Sequence, residues 1–507
     1  MDTPLARIRS ARPLARRPRR RLLLATVVAL ASTTTWVGAQ APARPDAASL
    51  NPAASGGFAP RETPLTLGAA AYAKILCSAI FVTGRSEDEA RRNSAYFLTP
   101  ETDRAHVTTV VDRERKVVRA TVRGVVTRSA GFYGDQGCVI HPEGTESVFF
   151  TPVPVTSTLT DAAGQSWPMG DVSTGPWPAG LDKRAIDAAL DVAFADPDAL
   201  TAGMLVLHKG RIVGERYDLG ATAETQLESW SMGKSLTATL VGLLIQEGAL
   251  ELDAPAPVAE WRRPGDPRRA ITLSHLLRMS SGLQCPSPGD PDYAPERDGY
   301  PAHALVYSGA LDVFRFSLSR PPQFAPGAEG RYRNCDPLAL GAIVRQVVEG
   351  RGEQYLTWPQ RALFDRLGIR RQVLETDPYG NFILSGYDYG TLRNWARLGL
   401  LYAQDGVWEG TRMLPEGFVR FVSTPAPGWA TPRYGGLFWV NGTRELDAPP
   451  DAYWMAGAGG QRVIVIPSRD LVIVRMGHMR GDTTGMKLLD KAVRGIGEAG
   501  DAAAASR

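Results

Sequence analysis

Metal and redox chemistry have little to work with in this sequence. Its 507 residues include four cysteines and six histidines. No Cys-x-x-Cys or His-Glu-x-x-His occurs and the histidines stand singly, so no metal and no cofactor is expected. No Gly-x-Ser-x-Gly occurs either, which disfavours a hydrolase whose serine sits on a strand-to-helix elbow with His and Asp partners. There is no internal repeat. Excess charge is also lacking once the N-terminus is set aside. Residues 1–41 carry eight Arg and one Asp, and residues 42–507 hold 49 basic and 52 acidic side chains, a net of −3. That balance offers no nucleic-acid surface.

The basic leader reads as a secretory signal. Arg16-Arg17-Pro18-Arg19-Arg20-Arg21 precedes an apolar run from Leu22 to Ala31, and Ala39-Gln40-Ala41 supplies small residues for cleavage. The run is short for a membrane span. Paired arginines admit twin-arginine export as a variant. A periplasmic or secreted protein, free of the membrane after signal cleavage, is the expectation. Four cysteines fit an oxidising compartment. They allow three pairings, and sequence does not choose among them. Cys77 with Cys138 and Cys285 with Cys335 is the expected pair, because it keeps each bridge within one region.

The chain is organised around Glu228-Ser229-Trp230-Ser231-Met232-Gly233-Lys234-Ser235-Leu236, which holds its only Ser-x-x-Lys. Leu236, Leu240, Leu243 and Leu244 follow at helical spacing, and Gly248 is a stop signal. Ser231 therefore opens a buried helix, with Lys234 one turn later on the same face. Unpaired backbone N–H groups and the helix dipole favour anionic character there. A lysine shielded from water loses its proton readily and accepts the serine's. Ser-x-x-Lys alone arises by chance in many chains, so its surroundings decide its meaning.

In chain order, residues 42–60 read as a flexible lead-in and 65–81 as a helix carrying Cys77. Two strands follow, at 107–111 and 116–122. Residues 42–165 form an appendage without visible chemistry, read as packing or lid. The main body, 166–500, opens with a hairpin at 204–208 and 211–217 around Lys209-Gly210. A helix near 271–277 has Thr272 as its cap, residues 286–300 form a candidate mobile loop, and another helix starts near Pro337. Residues 388–402 read as an amphipathic helix, 462–466 and 471–476 as a hairpin, 486–496 as the last helix, and 501–507 as a disordered tail. Strands at both ends imply one sheet completed by distant segments, beside a helical lobe.

Taken together, these segments resemble the serine hydrolases related to class C β-lactamases, among them DD-peptidases, esterases and 6-aminohexanoate-dimer hydrolases. The resemblance rests on Trp230-Ser231-Met232-Gly233-Lys234-Ser235, on Leu276 to Leu283 ending in Ser-Gly-Leu, on Pro326-Gly327 before Tyr332-Arg333-Asn334, and on Gly457-Ala458-Gly459-Gly460-Gln461. It covers about residues 181–495. It implies an α/β (α+β) fold, an antiparallel sheet flanked by helices with a mainly helical lobe and the site between them. Ser231 would be the nucleophile and Lys234 its partner in proton transfer. Tyr332 would be general base and then acid, its phenol proton displaced by nearby positive charge. Asn334 would orient Lys234 or the substrate. The backbone N–H groups of Ser231 and Ala458 would form the oxyanion hole. Tyr379-Gly380-Asn381 is a rival Tyr-x-Asn, but Pro378 and the central Gly read as a surface turn.

Met455-Ala456-Gly457 stands where the lactamases and peptidases place Lys-Thr-Gly. Met455 offers an acidic substrate no charge, which favours small-molecule esters or small amides, while Gly457 lets the strand approach closely. The resemblance thus implies an exported serine hydrolase working through an acyl-enzyme on Ser231. A β-lactamase or DD-peptidase is the alternative, and an acylated sensor or binding protein the alternative of another class. No deacylation base stands out.

Overall fold

Small apolar residues between Leu67 and Ile80 need a partner on every side, and the fold supplies one. The computed structural model describes residues 62–179 and 181–505; the leader at 1–41 and the lead-in at 42–60 lie outside the described residues. Helix α1 (Pro64–Phe81) starts with a proline in its first turn and reciprocal Thr63–Thr66 capping. By length and composition it could cross a membrane, yet 78% of that stretch is buried inside the protein. It lies on a four-stranded antiparallel sheet of β1 (Val107–Asp112), β2 (Val117–Val122), β3 (Val126–Phe132) and β4 (Cys138–Ile140), in that order. The Cys77–Cys138 disulfide ties α1 to β4. Only the first two strands were expected. Residues Arg128 to Gly131 of β3 are all buried, so it shows none of the alternation that marks a half-buried strand.

Buried charge fastens this N-terminal region to the body. Lys74 and Glu375 form an ion pair in which both side chains are almost fully buried. Ser78 Oγ and the Cys138 backbone N–H donate to Glu375 Oε1 at 2.8 and 2.7 Å. Ser94 Oγ donates to buried Glu228 at 3.1 Å.

The body begins with α2 (Lys183–Ala193) and the hairpin β5 (Thr201–His208) and β6 (Arg211–Tyr217). Lys209 (φ 50°) and Gly210 (φ 74°) are both left-handed, as a two-residue turn between twisted strands requires. Short strands β7 (Leu227–Glu228), β8 (Val373–Leu374) and β9 (Asp388–Gly390) make a small sheet with β9 central, and β10 (Val407–Trp408) pairs with β11 (Thr411–Arg412). The main sheet has the order β12 (Trp439–Val440), β13 (Tyr453–Gly457), β14 (Gln461–Ile466), β15 (Leu471–Gly477), β5, β6, all antiparallel. Sequence-distant ends are thus joined by β15–β5 pairing, as expected.

Both faces of this sheet are covered, so its strands read as continuous apolar runs. Met204, Val206, Ile464 and Ile473 pack with α2 and with α8 (Asp482–Ala505). Leu205, Leu207, Val463 and Val472 belong to the larger core on the other side. That core includes α3 (Met232–Gln246), α4 (Leu273–Leu277), α5 (Ala302–Ser308), α6 (Cys335–Gly350) and α7 (Leu392–Ala403). Thr272 caps α4 reciprocally with His275, and Cys285–Cys335 pins the loop after α4 to the start of α6.

Two boundaries differ from expectation. Residues 388–390 are strand, because Asp388 and Tyr389 pair with β7 and β8, and α7 begins only after Thr391 caps it. Backbone pairing there outweighs helical periodicity. The final helix starts at Asp482 and continues to Ala505, into the segment read as tail.

Candidate active site

Ser231 is held at a sharp corner. Trp230 before it has φ 49°, a left-handed conformation costing a non-glycine residue about 1–2 kcal/mol, and Ser231 itself is the N-cap of α3. Its side chain makes no capping bond, so Oγ is left for other partners. Gly233 lets this turn press against the body: a Cβ there would stand 2.7 Å from the Leu384 carbonyl oxygen and from Asp388 Oδ1. Ser229 Oγ donates to Asp388, which fixes the preceding residue.

Lys234 is buried one turn into α3, with Nζ 2.8 Å from Ser231 Oγ. The amine donates to the Ser385 carbonyl at 2.6 Å and lies 3.4 Å from Tyr307 Oη. Burial holds Lys234 well below the ordinary lysine range, against the opposing charge of Asp388. Asp388 is in turn pushed up to about 7, by burial first, with Ser229 and Lys234 pulling it back. The low-dielectric setting thus favours a neutral amine beside the serine.

Tyr332 is the third expected residue, and its ring centre is 4.9 Å from Lys234 Nζ. Burial pushes its phenol up to about 12, with the Ser231 side chain and the Arg462 charge opposing. Arg462 supplies the neighbouring positive charge that was expected, and burial outweighs it. Burial thus favours the protonated phenol.

Asn334 does not hydrogen-bond Lys234. Its Nδ2 donates to the His303 carbonyl at 2.5 Å, and its Oδ1 lies 3.2 Å from Tyr307 Oη. Tyr307, which sequence reasoning missed, stands between lysine and asparagine. It comes from α5, its hydroxyl is 2.5 Å from the Ser385 carbonyl oxygen, and burial pushes it up. Ala-His-Ala-Leu-Val-Tyr carries no motif, so nothing local singles it out. The rival Tyr379 sits in an exposed turn, with Gly380 at φ 79° and Asn381 bonded to Asp377.

Strand β13 closes the other side. Gly457 is required by packing, since a Cβ would lie 1.9 Å from the Ser229 carbonyl oxygen. The close approach is to the segment that carries Ser231. Ala458 follows, and neither its backbone N–H nor that of Ser231 is spent on a hydrogen bond among the described residues. Both residues line a cavity of about 540 Å³. Met455 does not: it is fully buried in the core, while Trp454 and Ala456, on the strand's other face, reach the cavity. Strand alternation therefore overturns its assignment as a substrate contact. Phe97 and Leu98 of the N-terminal region complete the wall, Phe97 edge-on to Trp230 at 4.8 Å. Among the described residues, no cluster of three or more His, Cys, Asp or Glu side chains is arranged to hold a metal.

The β-lactamase family model matches residues 184–496, and the chain belongs to that family of serine-hydrolase fold. A 6-aminohexanoate-dimer hydrolase of Paenarthrobacter ureafaciens is 25% identical over 244 residues, covering 44% of this chain and 57% of that protein. The match thus spans little more than half of that relative's length. A penicillin-binding protein homologue from Caulobacter crescentus superposes with a TM-score of 0.47 and 19% identity, over 64% of this chain and 99% of that one. A family VIII carboxylesterase does so with a TM-score of 0.45 and 18% identity, over 64% and 99%.

Proposed function

We propose that this protein is an exported serine hydrolase that cleaves carboxylic esters or small amides through an acyl-enzyme on Ser231. The observation that carries the reading is the buried Lys234 amine at 2.8 Å from a serine hydroxyl that caps nothing, with burial holding that amine well below the ordinary lysine range. In the acylation half, Lys234 takes the serine proton as Oγ bonds to the substrate carbonyl carbon. The carbonyl oxygen becomes an oxyanion facing the N–H groups of Ser231 and Ala458. Tyr332 gives its phenol proton to the departing alcohol or amine. Water then attacks the acyl-enzyme, its proton passing to the Tyr332 phenolate, and Lys234 returns a proton to Oγ as the acid leaves.

The relative's name, 6-aminohexanoate-dimer hydrolase, supports an amide as one substrate class. The basic, apolar leader and two disulfides support export to an oxidising compartment. Mass spectrometry after a fluorophosphonate probe, with Ser231→Ala alongside, tests the nucleophile. Turnover of p-nitrophenyl butyrate, nitrocefin and the linear 6-aminohexanoate dimer ranks the substrates. Probe mass on Ser231 alone, with turnover lost in the variant, is expected. Equal activity in Ser231→Ala would sink the mechanism.

A further inference from the structure

A carboxyl group stands behind the Ser231 corner with one oxygen given nothing to bond. Asp388 comes from β9, is fully buried, and leans against the first turn of α3. A Cβ on Gly233, the residue before Lys234, would lie 2.7 Å from its Oδ1. Oδ1 accepts from Ser229 Oγ, and the Asp388 carbonyl accepts the Ser229 N–H at 3.0 Å. Oδ2 is closed to water and has no hydrogen-bond partner. Anchoring Ser229 needs only a neutral acceptor. An acid in so dry a place is costly to ionise, so its charge requires a reason.

Lys234 supplies that reason. Its amine meets the Ser231 and Tyr307 hydroxyls and the Ser385 carbonyl, none of them an acid. Among the described residues, the one charge that acts on Lys234 is that of Asp388. The neighbouring phenols do not stand in for it. Tyr387 and Tyr389 flank Asp388, Tyr307 and Tyr332 line the cavity, and burial pushes all four up, which favours their protonated forms. Glu228, across from Tyr389 on β7, is engaged by Ser94 Oγ at 3.1 Å and lies 3.9 Å from Arg85. When Ser231 Oγ bonds to the substrate carbon, its proton passes to the Lys234 lone pair and an ammonium forms away from water. A buried ammonium without a counter-charge is strongly disfavoured.

We propose that Asp388 is a positioning residue for acylation that acts through Lys234, its carboxylate being the standing counter-charge for the ammonium formed when Lys234 takes the serine proton. This rests on the hydrolase reading above and adds a member to its proton machinery. Asp388 serving only to clamp Ser229 is the competing account, and for that an asparagine would do as well.

Asp388→Asn therefore separates the two, because it keeps an acceptor for Ser229 Oγ and deletes the charge. With the attraction gone, Lys234 falls further below the ordinary lysine range and becomes a weaker base. The acid limb of kcat/KM should move to lower pH, and kcat should fall by about 10- to 100-fold with KM little changed. An unmoved limb, with or without a loss of rate, overturns the proposal in favour of the clamp. A second measurement reads the same coupling from the other side and does not depend on Asp388→Asn folding. Lys234→Met should raise the pH midpoint at which the Asp388 carboxyl takes up its proton, followed by NMR of the carboxyl carbon. An unmoved midpoint also overturns the proposal. Fluorophosphonate labelling of the unmodified protein keeps the two readings apart. Absence of labelling at Ser231 removes the hydrolase reading itself, whereas labelled Ser231 with an unmoved limb removes only the role of Asp388.

Discussion

Tyr307 Oη stands 3.4 Å from the amine of Lys234, between it and Asn334, which was expected to orient Lys234 or the substrate. Asn334 therefore acts on Lys234 at one remove, through a second phenol. Tyr307→Phe leaves the ring packing in place and deletes only that hydroxyl. Unmaking the buried hydrogen bonds around Lys234 and Asn334 should cost about 1–3 kcal/mol, hence roughly 5- to 150-fold in kcat, with KM little changed. Steady-state kinetics on a p-nitrophenyl ester checks this, and an unaltered kcat would remove Tyr307 from the proton network.

The burial of Lys234 sets a pH dependence. A folded-state value below the ordinary lysine range means that the amine becomes competent at a pH well under 10.5. The acid limb of kcat/KM should thus rise to its plateau well before a solvent-exposed lysine loses its proton. Lys234→Met should remove that limb and lower the plateau by about 10²–10⁴. Stopped-flow labelling by the fluorophosphonate across pH reads both. A limb surviving in Lys234→Met would assign the base elsewhere.

Glu375 is the keystone between the N-terminal region and the body. It takes the Lys74 amine, the Ser78 hydroxyl and the Cys138 N–H in a site closed to water. Glu375→Ala leaves the buried Lys74 amine without its partner and should cost about 3–5 kcal/mol of stability. The paired change Lys74→Met with Glu375→Leu should recover most of it. Chemical denaturation of the three variants gives the comparison, and a double variant no more stable than Glu375→Ala would contradict the account.

His141 gives the N-terminal region a sensitivity to acid. Burial, first of all, lowers it to about 4 from an ordinary 6.5, with Ser129 Oγ and Tyr133 Oη each 2.9 Å from a ring nitrogen. The unfolded chain takes up the proton from about pH 6.5 downward, while the folded state resists until about 4. Stability is therefore fully present above 6.5 and falls between those values, by up to about 3 kcal/mol for this group. In His141→Gln the fall of Tm between pH 6.5 and 4 should be shallower, and an unchanged slope would refute it.

Phe97 tests whether the N-terminal region shapes the cavity. Phe97→Ala opens the wall beside Trp230 without touching Ser231 or Lys234. KM should rise for long-chain acyl esters more than for acetate esters. An identical shift for both would mean that the region only packs.

Much of this architecture was legible wherever local chemistry and tertiary structure agree. Lys209-Gly210 announced its hairpin, Thr272 its cap and Pro337 its helix start, because each acts within a few residues. Ser231, Lys234 and Tyr332 converge as the motif order suggested. Residues governed by distant partners were not legible. Asp388 reads as the start of a helix and is a strand because β7 and β8 flank it. Met455 occupies a motif position, yet strand alternation turns it into the core. Tyr307 and Phe97 reach the cavity from segments whose own sequence gives no hint of it.

The pairing of β5 with β15 also governs when the protein can exist at all. Residues 201–208 wait for 471–477 before their open edge is covered. At about 5–20 residues per second, that gap amounts to roughly 15–50 seconds of synthesis. Throughout that interval an apolar strand with unanswered backbone groups is presented to every other chain nearby. A ribosome stalled before residue 471 therefore releases a sticky fragment, which makes the stretch of message encoding β15 the part on which solubility depends.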